Sequence, residues 1–301
     1  MTPKTDVQVE ISAADQLVGV DVIGGGLRSY SVAGQELLDG YSPGQPSTSG
    51  RGQVLIPWPN RLQDGAYEFD GLRHQLPLTE PERGNAIHGL VRQESWTVGE
   101  SRPERVVLEH VLRPRPGYPF SLSLAIAYSL SGSGLKVTTT ATNIGSEAAP
   151  YGSGQHPYLT LGTAVVDPLV LCAPGGTVLI VDERGIPRAK EPVHGTEFDF
   201  RRPREIGATT LDHAFTDLER GMDGLARVEL RDPKSRAGVS LWVDASYRYL
   251  QLFTGDRLPD VQRRSIAVEP MTCPPNAFRS GEDLIRLEPG QSVTSAWGIV
   301  P

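Results

Sequence analysis

The stretch SLSLAIAYSLSGSGLKVTTTATN, residues 121–143, decides the fold. Apolar side chains alternate with polar or small ones along both of its halves, which is the pattern of a strand with one buried face. Gly132 and Gly134 lie between the halves, where a tight reversal of the chain favours glycine. The stretch therefore predicts two long antiparallel strands joined by a short turn.

The same alternation recurs from one end of the chain to the other. It is present in the segments VQVEIS, LVGVDVIG, RVVLEHVL, ARVELRD, GVSLWVDA, YLQLFTG, SIAVEP and SVTSAWGIV. A second turn signal, Asp70-Gly71 in EFDGLRH, separates two further short strands. Helical periodicity is nearly absent, so the pattern predicts an all-β protein.

Glycine and proline are spread along the chain and are not collected in a linker. The sequence contains 33 Gly and 25 Pro, and their even distribution predicts that residues 1–301 form one domain. A half-buried sheet must cover its apolar face with another layer. We therefore expect a large, single-domain antiparallel β-sandwich, with a barrel as the alternative. No repeat of fixed period is present, which argues against a propeller.

The composition excludes several classes of protein. The chain is 38% hydrophobic and has no apolar run near the roughly 20 residues of a membrane span. A net charge of −7 argues against nucleic acid as the main partner, because phosphate binding needs concentrated Lys and Arg. The N-terminal MTPKTDVQVEISAADQ lacks the pattern of a secretory signal, and Cys172 and Cys273 fit two free thiols. These features predict a cytoplasmic protein.

The stretch LIPWPNRLQDGAYEFDG places two polar residues after a stiff loop. Pro57 and Pro59 restrict the backbone and keep it out of a helix, so the loop can aim the side chains of Asn60 and Arg61. The alternative is structural: Asn60 closes a turn and Arg61 covers a sheet edge. This stretch alone favours the structural alternative.

Two histidines lie at positions that constrain the backbone. In YGSGQHPYLTLG, Pro157 restricts the conformation of His156 and thereby sets the direction of its ring, which suits proton transfer from a fixed position. His88 precedes Gly89 in RGNAIHGLV, as expected for a ring that projects from a tight turn. For both histidines a hydrogen-bonded structural role is the alternative.

Two carboxylates complete the set of candidates. Glu269 closes the apolar strand of SIAVEP and Pro270 ends it, so its side chain needs a partner or a task, since burying an unpaired carboxylate is costly. Asp212 lies in TTLDHAF between apolar neighbours. It is either a carboxylate that binds a ligand or the cap of a short turn.

Other chemistries find little support in the sequence. It has no G-x-S-x-G, no G-x-x-x-x-G-K-[ST] and no H-E-x-x-H motif. His88, His156, Asp212 and Glu269 are types that bind metals, but their wide separation in sequence argues against a metal site. We therefore expect neither a metal nor a cofactor.

The chain resembles the aldose 1-epimerase (galactose mutarotase) family in five short motifs that occur in the family order. They are PNRLQDGAYEFDG, IHG, GQHPYL, LDHAF and VEP. The resemblance extends from about Gly24 to the closing LEPGQSVTSAWGIV. It implies a galactose mutarotase-like supersandwich, with a sugar site in an open cleft on one sheet and no metal in the chemistry. The tail EPMTCPPNAF is similar to that of a bacterial subgroup associated with sulfoquinovose metabolism.

The resemblance also implies roles for the candidate residues. Glu269 is the general base for the C1 hydroxyl of a cyclic sugar, and His156 is the general acid for the ring oxygen, assisted by His88. The substrate-binding residues are Arg61, Asp212 and Asn60. A carboxylate beside an imidazole is expected to favour the ionised form of both groups.

Three functions are compatible with these observations. The leading hypothesis is an enzyme that interconverts the α- and β-anomers of a free aldohexose, as a monomer or homodimer. The second is a mutarotase for an anionic sugar, either sulfoquinovose or a hexose 6-phosphate, and the third is a sugar-binding protein without catalysis. A mutarotase for an anionic sugar needs additional positively charged side chains to bind the anion. The sequence has two arginine clusters that could supply them, although such clusters are usually solvated surface. These clusters comprise Arg201, Arg202, Arg204, Arg263 and Arg264.

Overall fold

The computed structural model describes residues 8–301. Residues 1–7, which begin the N-terminal stretch used to predict a cytoplasmic location, lie outside the described residues. In chain order the first strands are β1 (Gln8–Ala13), β2 (Gln16–Asp21), β3 (Leu27–Val32), β4 (Gln35–Glu36), β5 (Val54–Leu55), β6 (Arg61–Gln63), β7 (Ala66–Phe69), β8 (Leu72–Gln75), β9 (Asn85–Ile87), β10 (Thr97–Arg102), β11 (Arg105–Leu112), β12 (Leu122–Ser131) and β13 (Gly134–Asn143).

The remaining strands complete an almost entirely β structure. They are β14 (Ala149–Tyr151), β15 (Gly154–Gln155), β16 (Tyr158–Leu159), β17 (Val170–Cys172), β18 (Gly175–Val181), β19 (Pro187–Pro192), β20 (Arg204–Glu205), β21 (Asp212–Leu218), β22 (Ala226–Arg231), β23 (Gly238–Val243), β24 (Tyr249–Phe253), β25 (Ile266–Met271), β26 (Ile285–Leu287) and β27 (Ser292–Val300). The helices of the described part are a 3₁₀ turn, Pro81–Arg83, and α1, Ala277–Ser280. The all-β prediction is confirmed.

The stretch at residues 121–143 forms the predicted pair of long strands. β12 and β13 pair along their whole length, and Ser131 lies opposite Gly134 at the turn. They belong to a nine-stranded antiparallel sheet with the order β10-β11-β12-β13-β27-β23-β22-β17-β20. The predicted turn at Asp70-Gly71 is also present, between β7 and β8, with positive φ at both residues.

A second large sheet carries the residues of interest here. Its order is β19-β18-β21-β24-β25-β15-β5, and β16 pairs separately with β25. One continuous cluster of buried apolar side chains includes Ile126 and Val137 of the nine-stranded sheet together with Leu252 and Val268 of this second sheet. The two sheets therefore share a core and form the predicted sandwich.

Every residue of β25 is buried, from Ile266 to Met271. Because side chains alternate along a strand, Ile266 and Val268 face the shared core, whereas Glu269 lies on the opposite face with Ala267 and Met271. On this second face, Ala267 packs with Tyr158 of β16 and with Val261 of the connection before β25, and Glu269 is buried outside the main core.

Two structural features concern membrane spans and the state of the cysteines. No helix among residues 8–301 is long and apolar enough to cross a membrane. Cys172 and Cys273 are both free, as predicted.

Candidate active site

The structure brings Glu269 and His156 into contact. Oε1 of Glu269 lies 3.3 Å from Nε2 of His156, although 113 residues of sequence separate them. Glu269 is supplied by the central strand β25, and His156 by the connection between β15 and β16, which both pair with that strand. Their side chains are only 3% and 6% exposed. The two side chains are thus covered.

The ring of His156 is held from several sides. Its backbone N–H donates to Gln53, and its carbonyl accepts from Gly52. The ring stacks on Tyr158, with centroids 4.9 Å apart and planes inclined by 13°. These contacts fix the direction of the ring, as the sequence around Pro157 predicts.

His88 lies beside His156 with its ring edge-on. The two ring centroids are 5.4 Å apart at an angle of 73°. The Nδ1 atom of His88 accepts a hydrogen bond of 3.2 Å from the backbone N–H of Asn60, so the neutral ring carries its proton on Nε2. Pairing of β6 with β9 brings these two segments together, and His88 has a φ of 62°.

Asn60 contributes to the site mainly through its backbone. It is buried with a φ of 55°, and its side-chain Oδ1 accepts from the N–H of the next residue, Arg61. This is the turn-closing role weighed above as the alternative. Its backbone N–H supports His88, so Asn60 belongs to the structure behind the reacting groups.

Arg61 lies between two carboxylates. Nε and Nη2 bind Glu80 at 2.9 to 3.2 Å, whereas Nη1 lies 3.9 Å from Oδ2 of Asp212. Arg61 is also close enough to Glu269 to affect its pKa. Its guanidinium therefore carries a fixed positive charge beside the candidate base.

Asp212 is the more accessible member of the site, with a side chain that is 37% exposed. Its Oδ1 accepts a 2.8 Å hydrogen bond from Nε2 of Gln251. Gln251 is buried and lies directly opposite Glu269 in the pairing of β24 with β25. Gln251 was not among the residues predicted from the sequence. It is a polar residue within the apolar strand YLQLF, which is the same pattern that singled out Glu269 in SIAVEP.

Burial controls the protonation of the central pair. Burial and the charge of Asp212 raise the pKa of Glu269 well above its ordinary value, and Arg61 opposes them. Burial lowers the pKa of His156 to about 3, and Arg92 and Arg51 act in the same direction. The expectation that both groups favour their ionised forms is therefore wrong for the covered site, because desolvation outweighs the attraction of opposite charges.

Burial also favours the neutral form of His88. Burial lowers its pKa well below the ordinary value, with further contributions from His156, Arg92 and Arg61. A neutral His88 remains able to donate from Nε2. In this neutral form the ring carries no positive charge.

Two buried atoms at the centre lack hydrogen-bond partners among the described residues. They are Oε2 of Glu269 and Nδ1 of His156. Buried polar atoms are normally paired, and a catalytic role is one explanation for an unpaired one. A polyhydroxylated ligand would supply such partners.

Arg92 is a second residue that the sequence analysis missed. Its guanidinium donates to Oε1 of Gln53 at 3.2 Å and to the carbonyl of Ile87 at 3.3 Å, and no carboxylate of residues 8–301 lies within 4.0 Å of it. Arg92 and Gln53 line a cavity of about 360 Å³, which does not include the His156–Glu269 pair. Arg92 nevertheless lies near both His88 and His156, whose pKa values it lowers.

The arginines considered for anion binding do not gather at this site. Arg201 binds Asp199, Arg263 binds Asp167 and Asp256, and Arg264 binds Asp39. Arg204 lies over the ring of Phe200 at 3.8 Å, and Arg202 is exposed.

The described residues 8–301 contain no group of three His, Cys, Asp or Glu side chains arranged to hold a metal ion. The four residues of metal-binding type named above do lie in one region: His88, His156, Asp212 and Glu269. Their observed contacts are hydrogen bonds and ion pairs with neighbouring side chains and backbone.

Comparison with known proteins yields one family. Residues 9–299 match the family model described as aldose 1-epimerase. The Escherichia coli K12 protein YihR, described as uncharacterized, is 37% identical over 284 residues, which cover 94% of this chain and 89% of YihR. Human galactose mutarotase is 31% identical over 200 residues, which cover 62% of this chain and 55% of that protein.

Solved structures have the same fold. The aldose epimerase homologue from C. elegans superposes with a TM-score of 0.87 at 18% identity, covering 97% of this chain and 98% of the other. Galactose 1-epimerase from Lactobacillus acidophilus superposes with a TM-score of 0.81 at 23% identity, covering 97% and 93%. The galactose mutarotase-like fold is thereby confirmed.

Proposed function

This chain belongs to the aldose 1-epimerase family, and we propose that it interconverts the α- and β-anomers of a free aldohexose by acid-base opening and closure of the sugar ring. The contact of 3.3 Å between Glu269 and His156 is the observation that carries this proposal. Mutarotation needs a base for the C1 hydroxyl and an acid for the ring oxygen. Both oxygens are bonded to the same carbon, so the two catalytic groups must lie close together, as these do.

The proposed reaction moves two protons in opposite directions. Glu269 takes the proton of the C1 hydroxyl, the bond between C1 and the ring oxygen breaks, and His156 protonates that oxygen. The open aldehyde turns about its C1–C2 bond. Glu269 then returns its proton to the aldehyde oxygen while His156 accepts the one on the attacking hydroxyl, and the ring closes as the other anomer.

One proton on the pair is sufficient for the whole cycle. A carboxylate beside an imidazolium and a carboxylic acid beside a neutral imidazole hold the same number of protons. Ring opening converts the first arrangement of Glu269 and His156 into the second, and closure reverses it. Burial favours the second arrangement, which is the one that the open aldehyde requires.

The neighbouring side chains have supporting roles in this proposal. The Nε2–H of His88 donates to the ring oxygen beside His156. Arg61, Asp212 and Gln251 bind sugar hydroxyls, the first as a donor, the second as an acceptor and the third as both. Asn60 holds His88 through its backbone. Because proton transfer between the sugar and these side chains accounts for every step, the proposal requires no metal or cofactor.

The proposal also covers the oligomeric state, the domain organisation and the location of the enzyme. The Glu269–His156 pair comes from one chain, so a monomer and a homodimer would each contain a complete site. Residues 1–301 act as one domain, a view supported by the continuous core between the two large sheets. The free thiols of Cys172 and Cys273 support a cytoplasmic location.

Polarimetry tests the proposed reaction directly. The optical rotation of freshly dissolved α-glucose and α-galactose is followed with and without the protein. The proposal predicts faster relaxation in proportion to protein concentration, toward an unchanged final rotation. Sugar binding in a calorimeter without faster relaxation would instead support a binding protein.

Arg92 favours a second candidate, a mutarotase for an anionic sugar. Arg92 is half-buried and forms no ion pair within 4.0 Å among residues 8–301, so a sulfonate or phosphate on the sugar would offset its charge. The five arginines first considered lend less support, because most of them already have partners. The same relaxation assay with sulfoquinovose and glucose 6-phosphate distinguishes this candidate from the first.

A further inference from the structure

A short surface segment, Thr48–Ser49–Gly50–Arg51, is fastened to one carboxylate of a different loop. Asp260, between β24 and β25, accepts hydrogen bonds of 2.7 Å from the hydroxyls of Thr48 and Ser49 and one of 2.8 Å from Nη1 of Arg51. Its backbone carbonyl accepts a fourth bond, of 2.7 Å, from Nη2 of Arg51. Asp260 therefore binds side-chain donors of Thr48, Ser49 and Arg51, three of the four residues of the segment.

The 48–51 segment lies directly against His156. Gly50 has a φ of +79°, and a Cβ atom at this position would lie 2.7 Å from Cδ2 and 2.9 Å from Nε2 of His156. Nε2 is the atom that contacts Glu269. The backbone at Gly50 therefore borders the reacting edge of the imidazole, and only glycine leaves room for it.

The 48–51 segment also contacts Tyr158, whose aromatic ring stacks on His156. The hydroxyl of Tyr158 donates to the backbone carbonyl of Ser49 at 2.7 Å, and the Tyr158 ring stacks on His156. Tyr158 also packs against Val261, which follows Asp260 in the chain. Asp260 is thus linked to His156 by two sets of contacts. One passes through Gly50 at the edge of the imidazole ring, and the other passes through Ser49 and Tyr158 at its face.

We propose that Asp260 is a positioning residue for the acid-base reaction: it holds the 48–51 segment against His156 and Tyr158 and thereby fixes the imidazole relative to Glu269. The inference rests on the proposed function. The Asp260 side chain is 42% exposed, whereas the Arg51 side chain that it binds is 4% exposed. Desolvation acts to raise the pKa of Asp260, but hydrogen bonds from Arg51, Ser49 and Thr48 lower it, so the carboxylate is charged throughout the range of enzyme assays.

The substitution Asp260→Asn tests this role, with Asp167→Asn as its matched control. Asp167 has a side-chain exposure of 45% and binds Arg263 at 2.7 Å, but it has no contact with the 48–51 segment. We expect Asp260→Asn to lower kcat about 5- to 50-fold, since misplacement by about 1 Å can cost about 10²-fold. KM should change less than about threefold, because the hydroxyl-binding groups are untouched. Asp167→Asn should match the wild type in both constants.

A double-mutant cycle shows whether the effect passes through Tyr158. Tyr158→Phe keeps the ring on His156 and removes the hydroxyl that binds Ser49. If Asp260 acts through this contact, the losses in kcat of the two single variants are not additive in the double variant. Ser49→Ala, which removes one bond to Asp260, should give a smaller loss of the same kind and serves if Asp260→Asn fails to fold.

Titration of the His156 imidazole by NMR provides a readout that is independent of catalysis. In the wild type, burial keeps the pKa of His156 at about 3. Loss of the Asp260 contacts admits water to the ring, so its pKa should rise toward the ordinary value of 6.5 in Asp260→Asn but not in Asp167→Asn. The groups that face His156 and remain in both variants are Glu269, His88, Arg51, Arg92 and Tyr158.

The outcomes separate this inference from the proposed function. If the wild-type protein accelerates mutarotation of none of the sugars tested, the proposed function fails, whereas the titration still tests the link between Asp260 and His156. The inference is overturned if Asp260→Asn folds with wild-type kcat and an unchanged His156 titration. It is equally overturned if Asp167→Asn changes both properties to the same extent. Additive losses in the double-mutant cycle would overturn the contact through Ser49 and Tyr158 and assign the whole effect to Gly50.

Discussion

Glu80 holds the guanidinium of Arg61 through Nε and Nη2, at 2.9 to 3.2 Å, and leaves Nη1 to face Asp212. Glu80 also accepts a 3.0 Å hydrogen bond from the side chain of Asn85. The guanidinium is therefore held along one edge, and Nη1 on the other edge lies 3.9 Å from Oδ2 of Asp212, one of the proposed hydroxyl-binding groups. Arginine suits this arrangement because its donors are rigidly oriented.

Replacing Glu80 by Gln should weaken substrate binding more than catalysis. Gln replaces the acceptor Oε2, which binds Nε of Arg61 and the side chain of Asn85, with a donor and removes the negative charge, so Arg61 is held less firmly toward sugar hydroxyls. We expect KM to rise about 10-fold, equivalent to about 1.4 kcal/mol, with kcat reduced less than about threefold. Steady-state polarimetry measures both constants. Glu94→Gln, which removes an ion pair with Arg115 elsewhere on the surface, is the control and should change neither.

Gly50→Ala should impair the enzyme through steric conflict with His156. The added Cβ would lie 2.7 Å from the imidazole, and the positive φ of this residue disfavours any side chain. Either His156 or the segment must move, so we expect kcat to fall about 10-fold or more. Gly44→Ala, in the same connection, is a suitable control because it has a similar φ but open space around the added atom. A Gly50→Ala enzyme with wild-type kcat would show that the ring tolerates displacement.

The raised pKa of Glu269 predicts a dependence of stability on pH. The folded state holds the proton of Glu269 more tightly than the unfolded chain, so stability is lost as pH rises from the ordinary pKa of 4.5 through the folded pKa, above which the loss is complete. Glu269→Gln removes this loss. Relative to wild type, its free energy of unfolding should be higher by about 1 kcal/mol or more at pH 8, and the difference should shrink below pH 4.5. Urea unfolding at the two pH values measures it, and a constant difference would contradict the assignment.

Arg92→Met should distinguish anionic from neutral substrates. If Arg92 binds a sulfonate or phosphate, the substitution lowers kcat/KM for that sugar about 10²-fold, because a charge-assisted hydrogen bond of 1.5–3 kcal/mol is lost. The value for α-glucose should change less than about threefold, since a neutral sugar has no charge to offset. Equal losses for both kinds of sugar would show that Arg92 supports the histidines and not an anion.

The sequence predicts those features that neighbouring residues control. The pairing of β12 with β13 follows from alternation and two turn glycines within residues 121–143. The direction of the His156 ring and the buried position of Glu269 follow from the prolines beside them and from the apolar pattern of the strand. The resemblance to the family then supplied the pairing of these two residues, which no local pattern contains.

The features that sequence reasoning missed depend on contacts between distant segments. Gln251 became part of the site only through the register of β24 with β25, and Asp260 only because two loops meet above His156. The ionised state expected for the pair was wrong for a similar reason. The sequence places Glu269 in an apolar strand, but it does not reveal how completely the loops exclude water from both groups.

The most direct test of the central claim is the effect of Glu269→Gln on the exchange of anomers of the sugar that the wild type uses best. Two-dimensional exchange NMR at equilibrium measures the rate, with the uncatalysed exchange subtracted. The substitution preserves the shape of the side chain and removes its capacity to accept a proton, so the rate should fall by about 10²-fold or more. Asp167→Asn, prepared in parallel, should exchange the sugar at the wild-type rate. A folded Glu269→Gln enzyme with the wild-type rate would contradict the assignment of Glu269 as the base.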